Sequence, residues 1–95
     1  MNTEDDGWRE LLSFLSKITD TEKLNEILLI ILTHEERKAL SARYLIIQEL
    51  LKGKKTQREM AEDLKVSIAK ITRGSNRLKK VNPALKGFLM EALAL

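Results

Sequence analysis

Two short amphipathic segments meet within residues 56–76, and the way they meet leaves this chain few folds to choose from. Met60, Leu64, Val66 and Ile71 are the apolar positions, with the small Ala61 where two helices would cross closely. Thr56 and Glu59 have the spacing of a capping box, in which each side chain bonds the other's backbone N–H, and this starts the first helix. Ser67 stands where it caps the second, whose first turn is Ile68, Ala69 and Lys70. The pattern predicts a helix-turn-helix, whose second helix stands off the body and enters the DNA major groove. Plain core packing produces the same pattern, so charge decides between them. Residues 54–80 carry nine Lys/Arg against three Asp/Glu, net +6, whereas residues 1–53 carry seven against ten, net −3. The overall +3 therefore hides a basic footprint laid on the motif itself. Such a footprint suits phosphates and selects DNA binding.

Caps punctuate the rest of the chain into helices. Trp8, Leu11, Leu12, Leu15 and Ile18 share one face of an amphipathic first helix, which Thr19, Asp20 and Thr21 interrupt. Asp20 or Thr21 caps a second helix through Leu32. Thr33 and Glu36 make another capping box, opening a long helix to Gly53 with Ala39, Leu40, Ile46, Ile47, Leu50 and Leu51 as its buried stripe. Asn82 followed by Pro83 starts a last helix. With no β-type alternation, the expectation is an all-α fold of six helices in a single domain, residues 1–95. Residues 1–53 form a helical dimerisation core, 54–80 the DNA-reading segment and 81–95 the terminal helix.

The segment Leu24–Leu32 contains only two polar residues, Asn25 and Glu26. A helix apolar nearly all round must be covered on every side, and 95 residues offer few places to hide one. A second copy of the chain is the economical cover, so an intertwined homodimer is expected. The segment is too short to cross a membrane, which takes about 20 residues. No charged, apolar leader opens the chain, and the absence of cysteine excludes disulfides and thiolate chemistry. A cytoplasmic protein fits both.

Enzyme chemistry finds little to work with. The single histidine, His34, falls in the first turn of a helix, and one His without Cys cannot make a structural zinc site of the usual composition. Lys52 to Thr56 superficially suggests a phosphate loop, but its first glycine is missing and no strand precedes it. For DNA, the first turn of the second motif helix directs Ile68, Ala69, Lys70 and Thr72 to the groove, with Gln57, Arg58, Lys65 and Lys79 at its edges. Ile68 in the core and Arg58 as an ordinary surface arginine are the plainer readings. Lys65 stands where such turns often have glycine, so it either bears strain of about 1–2 kcal/mol in a left-handed conformation or sits in a differently shaped turn. Arg43 and Arg73 admit two accounts: salt bridges, or two guanidinium groups clamping a flat aromatic ligand, one of them forked onto its carboxylate.

The segment Leu32–Leu40, Arg43, Glu49–Gly53, Gln57–Glu59 and the run Ile71-Thr-Arg-Gly-Ser-Asn76 resemble the tryptophan repressor family, without an obvious gap from about Leu32 to Lys79. A Trp-Arg-Glu-Leu-Leu segment at Trp8 and the helix after Pro83 extend the likeness loosely over nearly the whole chain. The resemblance implies a six-helix trp-repressor-like fold and a homodimeric, tryptophan-dependent transcriptional repressor, with L-tryptophan as corepressor and double-stranded operator DNA as partner. It implies an indole between Arg43 and Arg73, room for the ring at Gly74, the carboxylate on Thr33 and Arg73, and the ammonium on carbonyls of Ile30 and Leu32 from the second copy. It also makes Arg58 a candidate for guanine contact.

Three positions depart from the family as we know it. Ala61 replaces a basic residue and Lys70 a threonine, changes expected to alter operator preference. Arg77 stands where the best-known members have a serine that accepts a bond from the ligand's ammonium, and arginine has only donors. Its long stem either carries the charge to solvent or a DNA phosphate, or points it inward against that ammonium. Two other functions remain open on the sequence. One is a ligand-independent helix-turn-helix regulator or transposase-type DNA-binding domain, the other a helical module for an acidic protein partner.

Overall fold

The structure, a computed structural model, describes residues 3–95. Six helices and no strands occur among them: α1 (Thr3–Leu15), α2 (Thr21–Ile31), α3 (His34–Lys52), α4 (Gln57–Leu64), α5 (Ile68–Lys79) and α6 (Pro83–Ala92). The chain divides into two compact units, one ending at Glu36 and the other running from Arg37 to Leu95.

The first unit holds α1 and α2. Glu4, Asp5 and Asp6 crowd the first turn of α1, where negative charge complements the positive end of the helix dipole. This helix begins before Trp8 and stops at Leu15, leaving Ile18 outside it despite its matching period. Tight i to i−3 bonds end it, from Lys17 N to Phe14 O at 3.1 Å and from Ile18 N to Leu15 O at 3.1 Å. The Ser16 hydroxyl also donates back to Ser13 O at 2.8 Å, satisfying one of the carbonyls left over at the helix end. Asp20, rather than Thr21, caps α2 by accepting from Glu22 N at 2.9 Å. Neither helix buries a residue, and Ile30 is 84% exposed.

The second unit has its core where α3, α4 and α5 meet. Ile46, Met60 and Ile71 are buried, with Leu50, Ala61, Leu64 and Val66 packed around them. Leu40, expected in the stripe of α3, is half exposed instead. A glycine, Gly53 at φ +66°, ends α3, its N–H bonded to Glu49 O at 3.2 Å. The link that follows is tied down by Lys55, which donates to Asp63 on α4 at 2.8 Å and lies 3.8 Å from Glu49 on α3. The bond to Asp63 is the main cause of a raised Lys55 pKa.

Helix α4 opens on the expected capping box. Glu59 N donates to Thr56 Oγ1 at 3.1 Å, and Thr56 N to Glu59 Oε1 at 3.0 Å. The latter bond chiefly holds the Glu59 carboxyl below the usual carboxylate range. Three residues then turn the chain into α5. Lys65 takes the left-handed conformation, φ 55° and ψ 45°, and its N–H reaches Ala61 O. Of the two turns open on the sequence, the chain adopts the strained one. Ser67 caps α5 by accepting from Lys70 N at 3.3 Å, and Asn82 caps α6 by accepting from Leu85 N at 2.8 Å.

Candidate functional site

A cavity of about 150 Å³ lies between α3 and α5, within the second unit. Helix α3 contributes Ala39, Ala42, Arg43, Ile46 and Ile47, and α5 contributes Lys70, Arg73, Gly74 and Arg77. Both sets follow the helical face rule, since residues three and four apart stack on one side. The α3 wall is apolar apart from Arg43. The α5 wall is cationic apart from Gly74. Cavities of this size accept a single aromatic ring when their walls are apolar.

Arg43, Arg73, Gly74 and Arg77, singled out as ligand residues from the sequence, thus come together around one space. Gly74 has a second role there. A Cβ at this position would stand 3.0 Å from Ile46 Cγ2 and 3.4 Å from Leu50 Cδ1, closer than side chains normally approach. The missing side chain therefore lets α5 lie directly against α3, besides lining the cavity. Lys70, assigned to DNA alone, also lines it. The spacing Lys70, Arg73, Gly74 and Arg77 already carried that information as i, i+3, i+4 and i+7.

Thr33, Ile30 and Leu32 belong to the first unit. Thr33 closes its own capping box, accepting from Glu36 N at 3.1 Å and donating its N–H to Glu36 Oε1 at 2.8 Å. That uses the hydroxyl as an acceptor and leaves its hydrogen to donate. Ile30 is in the last turn of α2 and Leu32 is its C-cap. Helix C-termini leave carbonyls without intrahelical partners and carry partial negative charge, which suits an ammonium.

The residues assigned to DNA fall on α4, the turn and α5. Gln57 and Arg58 lie in the exposed first turn of α4, and Ile68, Ala69 and Lys70 in that of α5. Ile68 is 51% exposed, so it is not the core residue its apolarity would suggest. Thr72 Oγ1 donates to Gln57 Oε1 at 3.2 Å, linking the two helices, and is also 3.0 Å from Ile68 O. Ala61 is partly buried, packed against the core cluster. Lys79 closes α5 on the exposed side. No group of acidic, histidine or cysteine residues that could hold a metal ion occurs among the described residues, and none of their helices is long and apolar enough to cross a membrane.

A basic helix pair backed by a cation-lined cavity suits a DNA-binding regulator. The comparisons place it more narrowly. Residues 6–93 match the family described as Trp repressor protein, and the chain belongs to that family. A Trp operon repressor homolog of Chlamydia trachomatis is 45% identical over 92 residues, which cover 97% of this chain and 98% of that one. The homolog in Chlamydia caviae is 44% identical over 87 residues, 92% of this chain and 86% of the other. The one in Aliivibrio salmonicida is 38% identical over 86 residues, 90% and 80% of the respective chains. The chain is thus a regulator of a DNA-binding repressor family, not a member of an enzyme family.

Proposed function

We propose that the protein is a homodimeric repressor that binds operator DNA in the cytoplasm when L-tryptophan occupies the cavity between α3 and α5. The observation that carries this reading is Arg43 and Arg73 lining one apolar-walled space directly behind the helix that presents Ile68, Ala69 and Lys70. A ligand clamped there bears on α5, so its occupancy and the pose of the reading helix are coupled. By linkage, tryptophan favours the DNA-bound form only by its differential affinity for that form, and DNA tightens tryptophan by the same factor. Arg73 holds the carboxylate, and the carbonyls of Ile30 and Leu32 in the second copy receive the ammonium. The second copy also covers the apolar faces of α1 and α2, which are unburied in one chain. Two reading helices on a two-fold axis then meet successive major grooves about 34–36 Å apart. Gln57, Arg58, Lys65, Thr72 and Lys79 contact the backbone and base edges around each groove.

The test is a titration of the protein with L-tryptophan, read as affinity for a DNA site selected from a random pool by the tryptophan-loaded protein. Tryptophan should raise that affinity. Arg73→Ala should lose the response and keep weak, salt-sensitive binding, because the phosphate contacts lie elsewhere. An unchanged affinity with and without tryptophan would leave a ligand-independent DNA reader, and full ligand response in Arg73→Ala would place the ligand outside this cavity.

A further inference from the structure

Residues 54–80 carry only three acids, Glu59, Glu62 and Asp63, in a segment whose positive charge suits phosphates. Each acid there weakens the attraction to DNA. Glu59 closes the capping box of α4. Asp63 instead holds Lys55, its Oδ2 at 2.8 Å from Nζ. The same lysine reaches Glu49 of α3, whose Oε2 is 3.8 Å away and whose Oε1 meets Lys52 at 3.5 Å. The Glu49 side chain is only 15% exposed, so α3 holds that end in place. Charges of alternating sign thus run from the last turn of α3, across the link, to the last turn of α4. We infer that this chain of charges positions α4 on α3, so that Lys55 and Asp63 set the selectivity of DNA binding by position rather than by contact. The inference rests on the operator-binding reading above.

Packing alone leaves the start of α4 without a hold on α3. Met60 is the one residue of α4 that is buried, with Ala61 and Leu64 packed beside it. All three lie beyond the first turn. Gln57 and Arg58 of that turn are exposed, and so is every residue of the link, 53–56. Gln57 is bonded to Thr72 at 3.2 Å, which ties α4 to its companion α5 and not to α3. Lys55 is the side chain of the link that grips both α3 and α4. An exposed ion pair adds little to stability, since water and side-chain entropy oppose it. Made in only one pose of α4, however, it shifts the balance of poses by its full worth. The pose in question is the one that aims Arg58.

Asp63→Asn gives the test its sign. It removes a negative charge from the basic segment, so charge alone would tighten binding to every DNA. Positioning requires the selected site to be bound more weakly instead. The measurement uses the full chain saturated with L-tryptophan at one salt concentration. It compares affinity for a site selected from a random pool by the unmodified protein with affinity for random DNA. Asp63→Asn should bind the selected site about three- to fivefold more weakly, the range an exposed ion pair supports. Random DNA should be bound at least as tightly as before. Lys55→Met should lose selectivity by a similar factor, and Lys55→Arg should keep it, because a guanidinium bonds the same carboxylates. Circular dichroism and urea midpoints should show all three variants folded. Selected-site binding by Asp63→Asn that equals or exceeds the unmodified protein's would overturn the inference and leave the operator-binding reading standing. So would a loss in Lys55→Arg as large as that in Lys55→Met. Should the unmodified protein select no site from the pool, the operator-binding reading falls, and the inference falls with it.

Discussion

Replacing Gly74 by alanine sets two opposed effects against each other, and the structure says which wins. Alanine in a helix interior is favoured over glycine by about 0.8–1.0 kcal/mol. Against that gain, the new Cβ would meet Ile46 Cγ2 at 3.0 Å and Leu50 Cδ1 at 3.4 Å. Ile46 is only 2% exposed and belongs to the central cluster with Met60 and Ile71, so it has nowhere to retreat. Overpacking of this kind costs about 1–3 kcal/mol. The balance for Gly74→Ala is then a net loss of about 1 kcal/mol. Gly87 supplies the internal control, being in α6 with nothing within 4 Å of its missing Cβ. Gly87→Ala should keep the helical gain whole and stabilise by about 0.5–1 kcal/mol. The propensity effect is common to both variants, so their difference, about 2 kcal/mol, isolates the contact with Ile46. Urea denaturation at one fixed protein concentration measures both, since stability of an assembling protein depends on concentration. Equal stabilisation by the two substitutions would refute the close approach of α5 to α3 at Gly74.

Two further substitutions probe the helix ends around the reading segment. Lys65→Gly removes the left-handed strain at φ 55° at the cost of a more flexible unfolded chain, and should stabilise by about 0.5–1 kcal/mol in the same denaturation assay. Thr56→Ala should cost about 1 kcal/mol by removing the acceptor for Glu59 N. The pH dependence follows from Glu59, whose carboxyl is lowered by the Thr56 N–H. Its contribution is full above the ordinary carboxylate range and fades as pH falls through the lowered value. Glu59→Gln should flatten that part of the acid limb in stability measured against pH, while an unchanged limb would show that the bond contributes nothing.

What the sequence disclosed was whatever is written within four residues. The boxes Thr33–Glu36 and Thr56–Glu59 and the Asn82–Pro83 start were legible because donor, acceptor and spacing all lie in one helical turn. Ile18 was misread because hydrophobic period alone does not register the i to i−3 bonds and the Ser16 hydroxyl that end α1. Leu40 was misread because a periodic stripe does not say how wide the covered face is. At the site, Arg43, Arg73 and Gly74 were found through likeness to a family, whereas the convergence of four cations needed the packing of α3 on α5. Lys70 escaped as a cavity residue because its place in the first turn of α5 already had an explanation. One residue can face two ways on a thin helix, and a sequence offers no means of ranking them.

The Thr72 hydroxyl has one hydrogen and two oxygens within reach, Gln57 Oε1 at 3.2 Å and Ile68 O at 3.0 Å. When the hydrogen turns to Gln57, it fixes that amide with its carbonyl inward and its two N–H groups outward. The corner between α4 and α5 then shows donors alone to anything that approaches. When the hydrogen swings to Ile68 O, the Gln57 carbonyl is released and the amide can rotate to present an acceptor. The change breaks no backbone bond, and exposed side-chain rotations of this kind take picoseconds to nanoseconds. A single proton thus works as a latch on the polarity of the corner between α4 and α5: latched, the amide turns its N–H groups outward, and unlatched, its carbonyl is free to accept.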